Sequence, residues 1–189
     1  MASKSSGKSR KGTLLLVFAA FVIPVIVAKV ALDNEWFNRG ATNKGELIKP
    51  AMDMSPVLSA ELPKWRLVYV MPENCDDKCE NAVYSIRQVW LALGRESDRA
   101  SATVVTVESS DATAMSQLGQ HANLEVLSAS KENVNKAFDS APADGIFLVD
   151  TQNNAMLRYP LHADKDAAIQ KSRDILADLK KLLKLSRIG

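Results

Sequence analysis

The only two cysteines of this 189-residue chain, Cys75 and Cys79, lie four residues apart in "MPENCDDKCENAVYSIRQVW", residues 71–90. Two thiols can exchange electrons as a dithiol and a disulfide, clip a soft metal ion, or staple the chain. Cys75 stands near the start of a predicted helix, whose partial positive N-terminal charge favours a thiolate. Asp76, Asp77 and Glu80 work against it, because like charges oppose a thiolate; the aspartates also suit a helix cap. The pair encloses three residues, where the common redox motif encloses two. At i and i+4 of one helix both sulfurs would share a face and could hold a soft ion, Cu(I) above all. With a distorted first turn they could close a disulfide, which needs Cα atoms nearer than about 7 Å. In thiol–disulfide exchange Cys75 would be the attacking sulfur. Cys75 and Cys79 are therefore the candidate catalytic pair and, for copper, the candidate ligands.

Few other residues offer chemistry. His162 follows "RYPL" and His121 precedes "NLEVL"; neither has metal-ligand spacing to another donor, and both read as solvated loop histidines. Met71 ends a strand and reads as core, although it could face the cysteines. Met52 and Met54 carry thioethers of the kind that suits Cu(I) but read as ordinary linker residues. Asp76 and Asp77 are adjacent, so they point different ways on a helix and make a poor acid–base pair. The chain has no G-x-S-x-G, no glycine-rich phosphate loop, no H-E-x-x-H and no second cysteine pair.

The elements that must position the cysteines alternate. "WRLVYVM", 65–71, is a short apolar strand, broken by Pro72-Glu73-Asn74. A helix follows to Leu93, with Cys79, Val83, Ile86, Trp90 and Leu93 on one face and Gly94 as its stop. "ATVVTVE", 102–108, is the second strand, and "DATAMSQLGQ" a short helix begun by Asp111. "NLEVLSA", 123–129, is the third strand, and residues 130–139 form a helix capped by Ser130. "GIFLVD", 145–150, "TQNNA" and "MLRYPL" read as strand, turn and hairpin strand. A final helix covers 164–185, with Ile175, Leu176, Leu179, Leu182 and Leu183 as its buried stripe. The order β-α-β-α-β-α-β-β-α predicts an α/β domain: a largely parallel sheet flanked by helices, with the hairpin as an antiparallel edge. That plan is thioredoxin-like, and its active corner is the loop after the first strand.

Residues 1–12, "MASKSSGKSRKG", hold Lys4, Lys8, Arg10 and Lys11 and no acid, whereas residues 62–189 carry 16 basic and 17 acidic side chains. The net charge of +2 thus belongs to a basic tail and not to a nucleic-acid-binding face. "TLLLVFAAFVIPVIVAKVAL", 13–32, is long and apolar enough to span a bilayer as a helix. Membrane helices tolerate its Pro24, Lys29 can snorkel, and Trp36 and Phe37 fit an aromatic belt. A cleaved signal would need a better cleavage site than Ala28-Lys29-Val30-Ala31. The basic side stays inside. The organisation expected is a cytoplasmic tail (1–12), a transmembrane helix (13–32), a linker (33–61) and a periplasmic thioredoxin-like domain (62–189). The protein would lie in the inner membrane as a single-pass chain, N-in. Its oxidising compartment makes a disulfide the default state of the pair.

With these residues in place the layout resembles the Sco/SenC family of cytochrome c oxidase assembly proteins. The resemblance rests on the anchor, the thioredoxin-like plan, the C-x-x-x-C after the first strand and the closing "GIFLVDTQNNAMLRYPLHADKDAAIQKSRDILADLKKLL", and it covers residues 62–185. It implies Cys75 and Cys79 as copper ligands. Two departures stand out. The family places Pro after the second cysteine, where this chain has Glu80. Its copper-binding His precedes the "FLVD"-type strand, and "FDSAPADGIFLVD" contains none. Pro142 falls near the place of the thioredoxin cis-proline or is a plain loop proline.

Three functions follow. The first is a membrane-anchored assembly factor for cytochrome c oxidase, acting through the cysteines on copper or on the thiols of a copper-receiving subunit. Its partners would be the membrane and an oxidase subunit or other oxidase assembly factors. The second is a thiol–disulfide oxidoreductase, and the third a docking module with a structural disulfide.

Overall fold

The computed structural model describes residues 8–33, 43–58, 63–139 and 142–186. The chain divides into two units, Met1–Thr42 and Asn43–Gly189. In the first, helix α1 (Lys8–Asp33) includes Pro24. Its 20-residue stretch Gly12–Ala31 is long and apolar enough to cross a membrane. The helix starts before Thr13, so its first turns take in Lys8, Arg10 and Lys11 of the basic tail. Lys4, Trp36 and Phe37 lie outside the described residues.

The second unit is built on six strands: β1 (Glu46–Asp53), β2 (Trp65–Val70), β3 (Ala100–Thr106), β4 (Leu124–Ser128), β5 (Ile146–Val149) and β6 (Asn154–Tyr159). Four helices accompany them: α2 (Asp77–Ala92), α3 (Ala112–Leu118), α4 (Lys131–Ala137) and α5 (Lys165–Leu185). The sheet order is β1-β6-β5-β2-β3-β4. β2, β3 and β4 are parallel, while β5 runs antiparallel to β2, β6 to β5 and β1 to β6. From β2 onward the predicted alternation holds.

Burial decides the layers. β2 sits inside the sheet with both faces covered, which is why "WRLVYV" can be apolar almost throughout. Leu67 and Tyr69 pack toward Ile86, Ile175 and Leu179 of α2 and α5. Val68 packs on the opposite side with Val134 of α4, Phe147 and Met54. Each of these fully buried aliphatic side chains contributes about 1.5–3 kcal/mol. Gly94 takes φ +60° as α2 ends, a conformation that glycine adopts without strain.

Two expectations need correction. The β5–β6 hairpin is interior, because β5 pairs with β2 and β6 is covered by β1. The edge strand comes from residues 33–61, read from sequence as linker: β1 lies there, and Met52 and Met54 are buried at 4% and 0% exposure. They are core residues, not linker residues. The strand was hard to read because its ladder is irregular between Leu47 and Met52, around Pro50, and proline has no N–H to give a ladder.

The start of β1 is clasped to α5. The buried carboxylate of Asp178 accepts hydrogen bonds from Lys44 N (2.7 Å), Gly45 N (2.9 Å) and the Tyr159 hydroxyl (2.8 Å). Gly45 is required by this approach, since a Cβ there would lie 2.7 Å from the Tyr159 ring. Asp178→Ala strands buried donors, at a cost of about 3 kcal/mol. Thermal unfolding of the full chain in detergent is expected to show a clearly lower midpoint for Asp178→Ala and none for Lys180→Ala on the exposed side of α5. Equal midpoints would mean that the clasp carries no stability.

Candidate functional site

The cysteine corner is built where β2 leaves the sheet. Met71 continues the core at 1% exposure; its N–H donates to Val105 O (2.9 Å) and its carbonyl accepts from Ser110 Oγ (2.8 Å). The Pro72 carbonyl accepts from Asp111 N (3.0 Å). The ends of β2 and β3 are thus tied together before either helix begins. Asp76 is the N-cap of α2, its carboxylate accepting from Cys79 N at 3.1 Å. This places Cys79 in the first turn and Cys75 one residue before the cap, outside the helix. The sulfurs are therefore not an i, i+4 pair on one helical face, as the metal-clip expectation required.

Cys75 and Cys79 form a disulfide with Cα atoms 5.1 Å apart, inside the limit for a bridge. The two partners differ sharply. Cys79 is 1% exposed, in the apolar layer between α2 and the sheet. Cys75 is half-buried and faces a cleft. Its backbone N–H donates to Asp111 Oδ2 at 3.1 Å. The other oxygen of Asp111 accepts from Thr113 N (2.9 Å) and Ala114 N (3.0 Å), capping α3. The N–H groups of Ala114, Cys75 and Thr113 hold the Asp111 carboxyl below the usual carboxylate range. Burial, with the Asp76 charge nearby, pushes the Tyr69 phenol up, so it stays neutral beneath the corner.

The cleft has a volume of about 290 Å³ and lies between α2 and α3. Met71 and Cys75 line it at the end where both helices begin; Arg87 and His121 also line it. His121 therefore shares a cleft with Cys75. His162 does not: it lines a separate, much smaller cavity beside Asn81, whose Nδ2 donates to the His162 carbonyl at 3.1 Å. Met52 and Met54 belong to the opposite face of the sheet from Cys79. Pro142 is exposed, and the residue before it lies outside the described residues. Sequence reading missed Arg87 altogether and took Asp111 only as a helix start. A carboxylate that reaches back to another loop leaves no periodic trace.

The two sulfurs are bonded to each other, and among the described residues no group of three or more His, Cys, Asp or Glu could hold a metal ion. The residues present do not complete a copper site of the kind the resemblance implies.

Residues 65–186 match the family model described as transmembrane-like, thioredoxin-like, C-terminal domain. The chain is similar to the apo Sco1 protein from Thermus thermophilus, with a TM-score of 0.53 and 18% identity over 75% of this chain and 97% of that one. It is also similar to copper-bound ScoI of Bradyrhizobium japonicum, with a TM-score of 0.43 and 20% identity over 68% and 98% of the two chains. For copper-bound ScoI of Arabidopsis thaliana the TM-score is 0.47 and the identity 12%, over 72% and 98%. No curated protein matches the chain. The family match and the Thermus likeness show the fold that the sequence predicts, α/β and thioredoxin-like with a mixed sheet flanked by helices.

Asp111 gives this corner a pH dependence. A carboxyl whose folded pKa is depressed contributes stability that is present above its unfolded value, near 4, and lost as the pH falls through the folded value. Asp111→Asn is expected to lower the urea midpoint of the full chain at pH 6, and the gap to the native protein is expected to shrink on titration toward pH 3. A gap constant across that range would show that the charge on Asp111 does not hold the loop.

Proposed function

The chain belongs to the family of the transmembrane-like, thioredoxin-like C-terminal domain, and from that membership we propose that it is a membrane-tethered thiol–disulfide exchange protein serving cytochrome c oxidase assembly. One observation carries the chemistry: a half-buried Cys75 on a cleft, bonded to a fully buried Cys79. An exchange protein needs that asymmetry. One sulfur must meet a partner, and the other must be shielded until it resolves the adduct.

The steps balance with two sulfurs. In the reduced chain the Cys75 thiolate attacks a disulfide of the partner, forming a mixed disulfide and releasing one partner thiolate. The Cys79 thiolate then attacks the Cys75 sulfur, which frees the partner's second thiolate and closes the Cys75–Cys79 bond. Two electrons pass from this chain to the partner, and a dithiol reductant on the same side of the membrane restores the pair. The partner is the cysteine pair of a copper-receiving oxidase subunit, which must be reduced before it can take copper. The layout shared with Sco/SenC proteins supports that choice, and the incomplete donor set favours thiols over copper as what this chain handles.

Cys79→Ser is expected to accumulate a covalent adduct of the full chain on non-reducing gels of thiol-blocked membranes, and Cys75→Ser to accumulate none. Both variants would lower the membrane content of assembled oxidase. Normal oxidase in both, with no adduct, would replace this reading with a structural staple.

The orientation proposed is N-in, with the domain in the periplasm of a bacterium with two membranes. It rests on the charge asymmetry: four basic residues and no acid precede the apolar stretch. Alkaline phosphatase fused after Gly189 is expected to be active in whole cells and to sediment with membranes after carbonate washing. An inactive fusion would reverse the topology.

A further inference from the structure

The cleft beside Cys75 has a direction. α2 and α3 both begin at the cysteine end, where Asp111 bonds Cys75, and both run away from it over the same face of the sheet. Glu80 and Asp111 line the cleft near its cysteine end. Arg87, eight residues beyond Cys79 on α2, and His121, just after α3, line it further along. Between them Val83, Ala114 and Leu118 supply an apolar wall. The cleft therefore carries acids near Cys75 and an arginine and a histidine at the far end.

Arg87 is half-buried where it lines the cleft. Its Nε is buried and has no hydrogen-bond partner among the described residues. The Nε is enclosed, so an acceptor from outside would meet the terminal guanidinium nitrogens, whose charge favours an anionic acceptor. Glu80 does not serve, being seven residues away on the same helix, about 10 Å along its axis. Asp111 is already committed to the N–H groups of Cys75, Thr113 and Ala114.

We propose that the α2–α3 cleft binds an extended, cysteine-bearing segment of the partner and that Arg87 selects a carboxylate on that segment. The inference rests on the exchange reading above and names the substrate class for it. The span fixes the spacing. Eight residues of helix advance about 12 Å, which an extended chain covers in three or four residues at about 3.3 Å each. The segment recognised has an Asp or Glu three or four positions from the cysteine that reacts with Cys75. The acids near Cys75 disfavour a carboxylate immediately beside that cysteine.

The test uses the full chain with Cys79→Ser, reduced and held in detergent micelles, so that the adduct at Cys75 cannot resolve. The probes are synthetic eight-residue peptides whose single cysteine carries a thionitrobenzoate leaving group. Attack by the Cys75 thiolate forms the peptide–protein disulfide and releases the coloured thiolate, which gives the rate. One peptide has Glu four residues after the cysteine and another has it four residues before. A third has Gln in both places, and a fourth has Glu adjacent to the cysteine. One of the two spaced Glu peptides is expected to react about tenfold faster than the Gln peptide, the scale of one charge-assisted hydrogen bond. The adjacent-Glu peptide should show no gain. Adding Arg87→Gln should abolish the tenfold gain of the spaced Glu peptide over the Gln peptide, as should high salt. Equal rates for all peptides on the Arg87 protein overturn the inference, and so does a gain that survives Arg87→Gln. Those comparisons on the protein with Arg87 intact stand even if the Arg87 variant misfolds. Failure of Cys75 to react with small-molecule disulfides as well would overturn the exchange reading itself, a different result.

Discussion

Cys79 is held in the apolar layer beneath α2 by two independent constraints. Its side chain packs in the core formed by α2, α5 and the sheet, and its backbone N–H is committed to the Asp76 cap. Moving it outward would uncap the helix and open the core together. Cys79 is thus enclosed, while Cys75 stands outside the helix in a loop. The loop itself is not slack. Asp111, from the β3–α3 connection, takes the Cys75 N–H, and Ser110 takes the Met71 carbonyl. One sulfur is fixed by packing and the other by hydrogen bonds from a different strand's loop. That division leaves one sulfur of the disulfide on the cleft and the other enclosed.

The sheet explains why the corner falls there. β2 and β3 are parallel, and both helices that follow start at the carboxyl ends of those strands, the edge where open α/β sheets carry their sites. The antiparallel half, β5, β6 and β1, serves to bury β2. Without β1 and the Asp178 clasp, β6 would be an open edge with Ala155, Leu157 and Tyr159 at its core-facing positions. The opposite edge, β4, is only five residues long, and its exposed Val126 is single. Short edge strands of this kind discourage pairing with other chains.

The elements with strong local signals were legible. The caps at Asp111, Ser130 and Asp164 stand where a short polar side chain precedes a periodic run, and each accepts an N–H two or three residues on. Gly94 ends α2 with a positive φ. The apolar runs of β2, β3 and β5 needed no context. What escaped depends on partners far away in sequence. β1 is recognisable only once β6 is beside it, since its own period is broken at Pro50. Asp178, between the leucines of α5, is 2% exposed and bonded across more than a hundred residues. At the site the cysteines themselves were plain, but their inequality was not. The spacing alone is compatible with one helical face; only the cap at Asp76 shows that the helix starts between them.

The missing histidine has a structural counterpart. The stretch before β5, where the Sco/SenC resemblance would place a metal ligand, is occupied here by an ion-pair network. Arg158 on β6 bonds Asp144 Oδ1 at 2.7 Å and Glu46 Oε2 on β1 at 2.8 Å, and it donates to the Asp144 carbonyl as well. Gly145 leaves little room beside this network, since a Cβ there would lie 3.0 Å from Arg158 Cγ. Asp144 and Arg158 join β1 to the hairpin. Among the described residues no group of three or more His, Cys, Asp or Glu could hold a metal ion. Thiol–disulfide exchange, the proposed chemistry, needs no third donor, only a reachable sulfur and a shielded one. Asp144 and Glu46 thus both meet Arg158, which ties β1 and the loop before β5 to β6.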